Sequence, residues 1–210
     1  SNNPRSTVAT ITEIYDYLRI LYSRIGHPHC LVCVDEINKL SNEEIKNFVL
    51  EKIKSHTPTK SKIPLPVYLE IYAPVVKGRK GEYYQLLYDL LGKGYSHILV
   101  DGAKKSLRDR IELSKTKRHS IDVLVDSISL LDFGSDKKSA EERLSEDLEK
   151  ALHESDGQVK IIFRDMAQEK NKDYIPEEMF MSSKLSCPKD GYSYPEVEPR
   201  LFSFNSPYGA

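Results

Sequence analysis

Apolar residues recur at three- and four-residue steps near the start of the chain, which is the spacing of one helix face. Thr10 and Glu13 have the spacing of a capping box, in which two side chains satisfy backbone groups at a helix start. Gly26 ends the pattern, and Pro28 prevents the helix from resuming. The predicted apolar face consists of Ile11, Ile14, Tyr15, Leu18, Leu21, Tyr22 and Ile25.

Two further segments combine a capping box with helical periodicity. Ser41 and Glu44 begin the first, and Ser139 and Glu142 begin the second, which runs over 139–153. The predicted apolar faces are Ile45, Phe48, Val49 and Ile53 in the first helix, and Ala140, Leu144, Leu148, Ala151 and Leu152 in the second.

Four segments are rich in the β-branched and aromatic residues that strands prefer. Pro74 indicates an edge strand or a strand end, and a basic turn at 77–81 leads into a short helix over 82–91. Asp101 and Gly102 form a turn after another strand. Because helices and strands are mixed without regular βαβ alternation, the predicted fold class is α+β. The predicted strands are 67–76, 95–100, 120–131 and 158–163.

Charge and cysteine content narrow the functional classes. The formal net charge of the 210 residues is -1, so any contact with nucleic acid would need a local basic patch. Charged residues interrupt every apolar run, and no membrane span is expected. Three cysteines are an odd number for a disulfide framework, which favours a reducing, cytoplasmic location.

No catalytic motif is recognised in the chain. The segment 78–81 lacks the G-x-x-x-x-G-K-[ST] frame of a phosphate-binding loop. His119 lies beside Ser120, but neighbours on a strand point to opposite faces, and no nucleophile elbow is present. We therefore expect no enzymatic activity from this chain by itself.

Several segments, in the same order along the chain, resemble the UvrA family of bacterial nucleotide excision repair. The first and last are long and specific, and the chain is identified as a member of that family on their strength. The matching segments are PRSTV at 4–8, TEIYDYLR at 12–19, RIG at 24–26, APVVKGRKGE at 73–82, HSIDV at 119–123 and EPRLFSFN at 198–205.

The resemblance implies an arrangement of three segments. Residues 1–36 would begin signature domain I of an ABC-type ATPase head, residues 37–183 would form an inserted UvrB-binding domain, and residues 184–210 would return to signature domain I. The Walker A loop, the ABC signature and the Walker B strand would lie outside this chain. The fragment would then recruit UvrB without hydrolysing ATP itself.

The resemblance also implies the cofactors and partners of the full-length protein. That protein would be the damage-sensing ATPase subunit of the UvrABC excinuclease, binding ATP, zinc and DNA and pairing with a second UvrA. For the fragment we expect UvrB as partner, no cofactor and no membrane.

The UvrB interface of the family is implied to be largely polar, with a basic UvrA face meeting acidic UvrB residues. Many members carry arginines at the positions of His97 and Ser127, neither of which has a permanent charge here. Either the partner compensates, or the contact has moved to neighbours such as Lys104 or Arg108; alternatively, the basic turns are simply solvated. The basic candidates are Lys77, Arg79, Lys80, Lys104, Lys105, Arg108, Lys115, Lys117, Arg118 and His119.

Two cysteine motifs suggest metal chemistry. By resemblance, Cys187 and Asp190 stand where the family has Cys-Pro-x-Cys, half of a four-cysteine zinc site whose second half follows the last residue. Because Asp190 replaces a thiolate, we expect that half-site to be empty. Cys30 and Cys33 have zinc-knuckle spacing. They are either two reduced thiols at a helix exit or ligands that Cys187 joins in space.

The alternative function is a scaffold that itself binds the phosphates of duplex DNA. One positioned cation suffices for a phosphate contact, although the same side chains would otherwise be solvated or pack against the ATPase head. The candidates are Arg5, Arg19, Arg24 and Arg200.

The end segments are expected to show unpartnered apolar surface, because the ATPase head against which they would pack lies outside the chain. Such surface would be partly exposed or paired between chains. The residues concerned are Ile11, Ile14, Leu18, Leu201, Phe202 and Phe204.

Overall fold

The computed structural model describes residues 13–56, 66–169, 171, 173–187, 192, 194 and 197–203. None of the described helices is long and apolar enough to cross a membrane. The elements are α1 Ile14–Ile25, α2 Asn42–His56, β1 Val67–Lys80, α3 Tyr84–Gly92, β2 His97–Val100, β3 Ala103–Ser106, β4 Arg118–Ser129, α4 Asp132–Ser135, α5 Lys137–Glu154, β5 Gln158–Asp165, β6 Glu177–Ser182 and a 3-10 helix Pro199–Phe202.

The described residues fall into two compact units. The smaller contains the residues up to 38, residues 185–187 and the described positions from 192 onward, and the larger contains residues 39–184. The assignment of these parts to a signature domain and a UvrB-binding domain stays a prediction.

In the smaller unit, α1 lies against the 3-10 helix. The Tyr15 hydroxyl donates to the Phe202 carbonyl, and the Tyr22 and Phe202 ring centroids are 6.0 Å apart. The outer face of α1 is apolar and open, with Ile14 51% and Leu18 37% exposed. The predicted exposure of this face is therefore confirmed for these two side chains.

In its described part, the larger unit is built on one sheet of six antiparallel strands in the order β3-β2-β4-β1-β5-β6. β1 is central, because it pairs with β4 along its length and with β5 from Val67 to Tyr72. Leu69 of β1, for example, lies opposite both Ile128 of β4 and Phe163 of β5. The predicted α+β class is confirmed.

Helices cover one face of this sheet. Leu69, Ile71 and Ala73 alternate onto that face of β1 and are fully buried in one cluster with residues of α2, α3 and α5. Each buried Leu or Ile side chain contributes about 1.5–3 kcal/mol relative to leaving it in water. The predicted apolar face of α5 is confirmed, since its members Ala140, Leu144, Leu148, Ala151 and Leu152 are all buried.

The apolar face of α2 is narrower than predicted. Ile45, Val49 and Ile53 are buried and recur at four-residue steps along the helix. Phe48 was expected in the same face but is 47% exposed, because it lies to the side of that row.

Helix starts agree with the sequence in one case and differ in another. Ser41 and Glu44 form the predicted capping box, with the Ser41 amide 2.8 Å from the Glu44 carboxylate and the Glu44 amide 3.2 Å from the Ser41 hydroxyl. The cap predicted at Ser139 is wrong: α5 begins at Lys137, and the Asp136 carboxylate accepts from the Ser139 amide at 3.2 Å. Three residues of the predicted end-segment features lie outside the described residues. They are Thr10 of the capping box, and Ile11 and Phe204 of the apolar surface.

β1 is longer and more central than predicted. The basic segment expected to be a turn is the last part of the strand, where Arg79 pairs with His119 and Lys80 with Arg118. Pro74 marks neither a strand end nor an edge strand. Pro74 lies beyond Tyr72, the last β1 residue that pairs with β5. On the other side of β1, it pairs with Asp122 of β4.

The sequence pattern missed both edge strands, β3 and β6. The turn at Asp101 and Gly102 was predicted, and both residues have left-handed backbone angles, with φ of 50° and 83°. That geometry suits a tight hairpin and joins β2 directly to β3.

Replacing Asp136 by Ala is expected to lower the free energy of unfolding by about 1 kcal/mol, because the first turn of α5 loses its carboxylate acceptor. Urea denaturation followed by circular dichroism measures this. Ser139→Ala is the matched control and should change stability by less than about 0.5 kcal/mol, since only its backbone amide is used. A larger loss for Ser139→Ala would restore the original cap assignment.

Candidate partner-binding face and metal centre

The second face of the sheet has no helix contributing to its core among the described residues. Tyr72, Leu99 and Ile162 form a small buried cluster there, with Leu124 packed against it, and all four come from strands. Alternate residues of a strand share a face, so the charged residues two positions away along these strands lie on the same face. We call this surface the open face.

A buried carboxylate organises the centre of the open face. Glu70 of β1 is 2% exposed and is bonded by three side chains from three strands. Lys104 Nζ of β3 lies 2.6 Å from Oε1, while Arg164 Nε of β5 and the Tyr72 hydroxyl lie 3.1 and 2.9 Å from Oε2. Burial acts to raise the pKa of the Glu70 carboxyl, but Lys104 and Arg164 outweigh it and hold that pKa below its usual value.

A second charged cluster lies around Lys160 of β5. Its Nζ is 3.4 Å from the Asp122 carboxylate, 3.0 Å from the Glu178 carboxylate and 5.0 Å from the Phe180 ring centroid. Burial raises the pKa of Asp122 above its usual value, against the opposing charge of Lys160. The open face thus carries paired charges over a thin apolar layer.

Four of the predicted partner-binding residues lie on or beside the open face. Lys104 belongs to the Glu70 cluster, and Lys77 is close enough to Asp122 to stabilise its carboxylate form. Ser127 is the β4 residue directly opposite Glu70. His97 lies two residues before Leu99 on β2, and its Nδ1 is 2.9 Å from the Ser96 hydroxyl.

The other predicted partner-binding residues are elsewhere. Lys105 is paired with Ile98 and so occupies the helix-covered side of β3. Arg108 lines a separate groove of about 400 Å³ beside Tyr84 and Tyr88 of α3. Arg79 and Lys80 are exposed at the far end of β1, where Lys80 pairs with Arg118, the first residue of β4, and the loop before β4 carries Lys115 and Lys117.

His119 was a predicted partner residue, but it is 7% exposed. Its Nδ1 is 2.8 Å from the Asp101 carboxylate, and its Nε2 is 3.1 Å from the Ser114 carbonyl. It therefore joins the β2–β3 turn to the start of β4 and offers no contact surface. The prediction that His119 belongs to the partner surface is therefore wrong, and strand alternation, which buries Ile121 and Val123 on the same side, was the signal that could have shown it.

Sequence reasoning missed Glu70, Lys160 and Arg164. The available signal was that each is a charged residue inside a strongly apolar strand. A buried charge in a strand needs a partner, so such a residue indicates an ion pair. What the pattern lacked was the strand order that brings β3, β1 and β5 to one carboxylate.

A cluster of three thiols lies in the smaller unit. Cys30, Cys33 and Cys187 bring their sulfur atoms within 4.8 Å of one another, and Cys33 Sγ is 3.4 Å from Cys187 Sγ. A tight turn supports them, with the Cys30 amide donating to the Asp35 carbonyl and the Val34 amide to the Cys30 carbonyl. Of the two interpretations left open by the sequence, the geometry favours the one in which Cys187 joins the knuckle cysteines.

The donor set fits a thiophilic metal ion such as zinc. Cys30 and Cys187 are buried, and nothing but a cation would allow three neighbouring thiolates. The Asp35 backbone lowers the pKa of the Cys33 thiol, but desolvation and the adjacent thiols outweigh it and raise that pKa to about 12. No fourth ligand joins the group in the described part of the chain, and Asp190 lies outside it. A bound ion would cross-link these two distant segments.

Two of the candidate DNA-binding arginines of the smaller unit make local contacts, whereas Arg24 is exposed on α1. Arg19 pairs with Asp16 and lies 5.4 Å from the centroid of the Tyr15 ring, and Arg200 pairs with Glu198. Arg5 lies outside the described residues. The described members of this set therefore form no group of candidate phosphate ligands.

Two carboxyl groups meet where α5 packs on β4, next to Ser127. The Asp126 carboxylate is 2.6 Å from Arg143 Nε and accepts from the Ser127 amide at 2.8 Å. Burial, together with the Asp126 carboxyl, raises the pKa of Asp147 to about 7, against the opposing charge of Arg143. One proton is therefore retained at this contact near neutral pH.

Comparison with known proteins places the chain in context. A family model described as the UvrA interaction domain matches residues 61–165. The chain is 43% identical over 210 residues to UvrABC system protein A of Aquifex aeolicus, and 42% identical over 210 residues to that of Bacillus subtilis. Its identity to the Deinococcus radiodurans protein is 38% over 212 residues. All of this chain is covered in each case, but only 20%, 19% and 19% of those proteins, so the chain spans about a fifth of their length.

We expect the chain purified without chelators to carry about one zinc ion per molecule, as metal analysis by mass spectrometry would measure. Cys30→Ser, Cys33→Ser or Cys187→Ser should each reduce that content strongly, because each removes one of three thiolates. Wild-type protein with no metal would leave the cluster as three reduced thiols.

Asp147→Asn is expected to stabilise the chain progressively, relative to wild type, as pH rises from the usual aspartate pKa of 3.8 to the folded-state pKa of about 7. The folded-state pKa lies above the unfolded one, so the protonated carboxyl stabilises the fold at low pH, and that contribution is lost as pH rises through about 7. Urea denaturation at several pH values measures the difference. The difference in unfolding free energy between variant and wild type should change by less than about 1.4 kcal/mol per pH unit, since the side chain is only half-buried. The exposed neighbour Glu146→Gln is the control, and a pH-independent difference for Asp147→Asn would contradict the assignment.

Proposed function

Because the chain belongs to the UvrA interaction domain family, we propose that it is a UvrA fragment whose larger unit docks UvrB during nucleotide excision repair. The docking surface is the open face of the sheet. In this proposal the ATPase activity, DNA binding and dimerisation belong to the full-length protein, of which this chain spans about a fifth.

One observation carries the proposal: a sheet face that is already ordered but that no helix covers within the described part of the chain. Its apolar layer, including Tyr72 and Leu99, is nearly fully buried beneath charged side chains. Such a surface is stable in water and still presents fixed polar groups, which is the character of a non-obligate interface.

The charge of the open face indicates the chemistry of the partner. Lys77, Lys104, Lys160 and Arg164 provide four cations against three carboxylates, Glu70, Asp122 and Glu178, which leaves a net charge of +1 by subtraction. The exposed cations favour an acidic partner surface, and charge complementarity of this kind raises the association rate and sets specificity. An acidic patch of UvrB fits this description.

Catalysis by the fragment is not part of the proposal. The carboxylates of the open face, Glu70, Asp122 and Glu178, are each paired with a lysine or an arginine, which leaves none of them as a free base. The thiol cluster of the smaller unit is assigned a structural role, in which an ion would be held by Cys30, Cys33 and Cys187.

The alternative function, direct binding of duplex DNA by this fragment, has less support. Arg19 and Arg200 are committed to carboxylates of their own segments. Strong, salt-sensitive binding of duplex DNA by the isolated chain, seen in an electrophoretic shift, would favour it.

Lys104→Glu is expected to weaken UvrB binding by about tenfold or more, because it reverses a charge at the centre of the open face. Calorimetric titration with UvrB from the same organism, at low and moderate salt, measures the effect. Lys105→Glu is the matched control. It makes the same charge change on the adjacent residue, which occupies the helix-covered side of β3, and should change affinity by less than about twofold.

The two variants separate the possible interfaces. Equal losses would mean that overall charge, and not the open face, governs docking. A loss confined to Lys105→Glu would move the interface to the other side of β3. Wild-type protein that does not bind UvrB at either salt concentration would remove the proposal altogether.

A further inference from the structure

The Glu70 side chain is buried in a strand at the centre of the sheet, where an ionised group is expensive unless it is fully paired. Both of its oxygens are used, Oε1 by Lys104 and Oε2 by Arg164 and Tyr72. The Tyr72 hydroxyl is itself buried, and burial together with the Glu70 charge raises its pKa above the usual value. Three donors, from Lys104, Arg164 and the Tyr72 hydroxyl, therefore fix the orientation of the carboxylate.

The two cations reach this carboxylate from opposite sides. Lys104 comes from β3, at one edge of the sheet, and Arg164 comes from β5, on the other side of β1. Their side chains remain 37% and 22% exposed, whereas the Glu70 side chain is 3% exposed. What solvent meets at this point is therefore a pair of cations, with the negative charge hidden beneath them.

Free lysine and arginine side chains lose rotamer entropy when they are fixed in a complex. Here the loss has already occurred in the unbound protein, because Glu70 holds both side chains in place. A partner carboxylate that approaches the pair would meet ordered donors, which is the condition for tighter binding by preorganisation.

We propose that Glu70 is a positioning residue, which holds Lys104 and Arg164 as a fixed pair of donors for a carboxylate on the acidic surface of the docking partner. This inference rests on the proposed docking function. It adds a specific recognition point to the open face and assigns Glu70 and Arg164 to it.

The effect of Glu70→Gln on affinity for the partner distinguishes this positioning role from a simple effect of net charge. Glu70→Gln removes one negative charge from the open face, so that attraction to an acidic partner should increase if net charge alone mattered. If Glu70 acts by holding the two cations, the same substitution releases them and weakens binding. Glutamine keeps the shape of glutamate, so the two effects are compared at nearly constant volume.

The experiment is a calorimetric titration of the whole 210-residue chain and its Glu70→Gln variant with UvrB from the same organism, at two salt concentrations. We expect Glu70→Gln to bind about tenfold more weakly at both. Equal or tighter binding by Glu70→Gln, with wild-type protein binding normally, would overturn the inference and leave the docking function standing. Absence of binding by wild type would overturn both.

Glu149→Gln supplies the control for charge. Glu149 is exposed on α5, on the side of the sheet away from the open face, and the variant has the same net charge as Glu70→Gln. We expect it to bind within about twofold of wild type. A tenfold loss for Glu149→Gln as well would show that the effect of Glu70→Gln does not come from the cation pair.

A second measurement does not depend on the folding of Glu70→Gln. Lys104→Met, Arg164→Met and the double variant form a cycle in which both single changes disturb one shared site. If Glu70 holds the two cations as a unit, the double variant should lose less affinity than the product of the single losses. Independent, multiplicative losses would contradict the inference.

The last experiment titrates duplex DNA in place of UvrB. Binding of DNA through the same two residues would assign the cation pair to phosphate instead of carboxylate.

Discussion

The position of β1 between β4 and β5 is the constraint on which the rest of the larger unit depends. The strand's helix-facing side chains close the core with α2, α3 and α5, while the intervening residues Glu70 and Tyr72 form the centre of the open face. Because side chains alternate, one strand builds both surfaces, and a one-residue slip would exchange them. Burial of Leu69 and Ile71 therefore fixes the register that also places the Glu70 carboxylate. Core packing and the arrangement of the open face therefore share a single determinant.

Much of the fold followed from local patterns. The faces of α1 and α5 and the strands β1, β2, β4 and β5 were predictable because periodicity is a local signal. β3 and β6 were not, since the sequences AKKS and EEMFMS contain charged residues where strands are usually apolar. Both are edge strands, and charge on an edge strand is a common protection against further pairing. Glycines at 78 and 81 suggested a turn, but the pairing of Arg79 with His119 continues the strand through the first of them.

The candidate sites were less predictable, because they depend on contacts between distant parts of the chain. Lys104 was identified from its charge alone, but its partner Glu70 is 34 residues away and the third member, Arg164, is 94 residues from Glu70. The same holds for Cys33 and Cys187, which are separated by 154 residues. The C-x-x-C spacing of Cys30 and Cys33 indicated a zinc knuckle, but the sequence did not decide whether Cys187 was its third ligand. Resemblance to a family predicted a docking domain over residues 37–183, and only the strand order identified which cations share a face.

The one-sided pairing of Pro74 has a consequence for colloidal stability. From Ala73 onward, β1 has no β5 partner in the described register, so a stretch of its backbone is available to a strand from another copy of the chain. Proline has no amide hydrogen and is tolerated in a sheet only where its nitrogen faces away from the ladder. A second chain that tried to extend the sheet here would lack a donor at that position. The residue that follows the end of β5 pairing thus also discourages aggregation through β1.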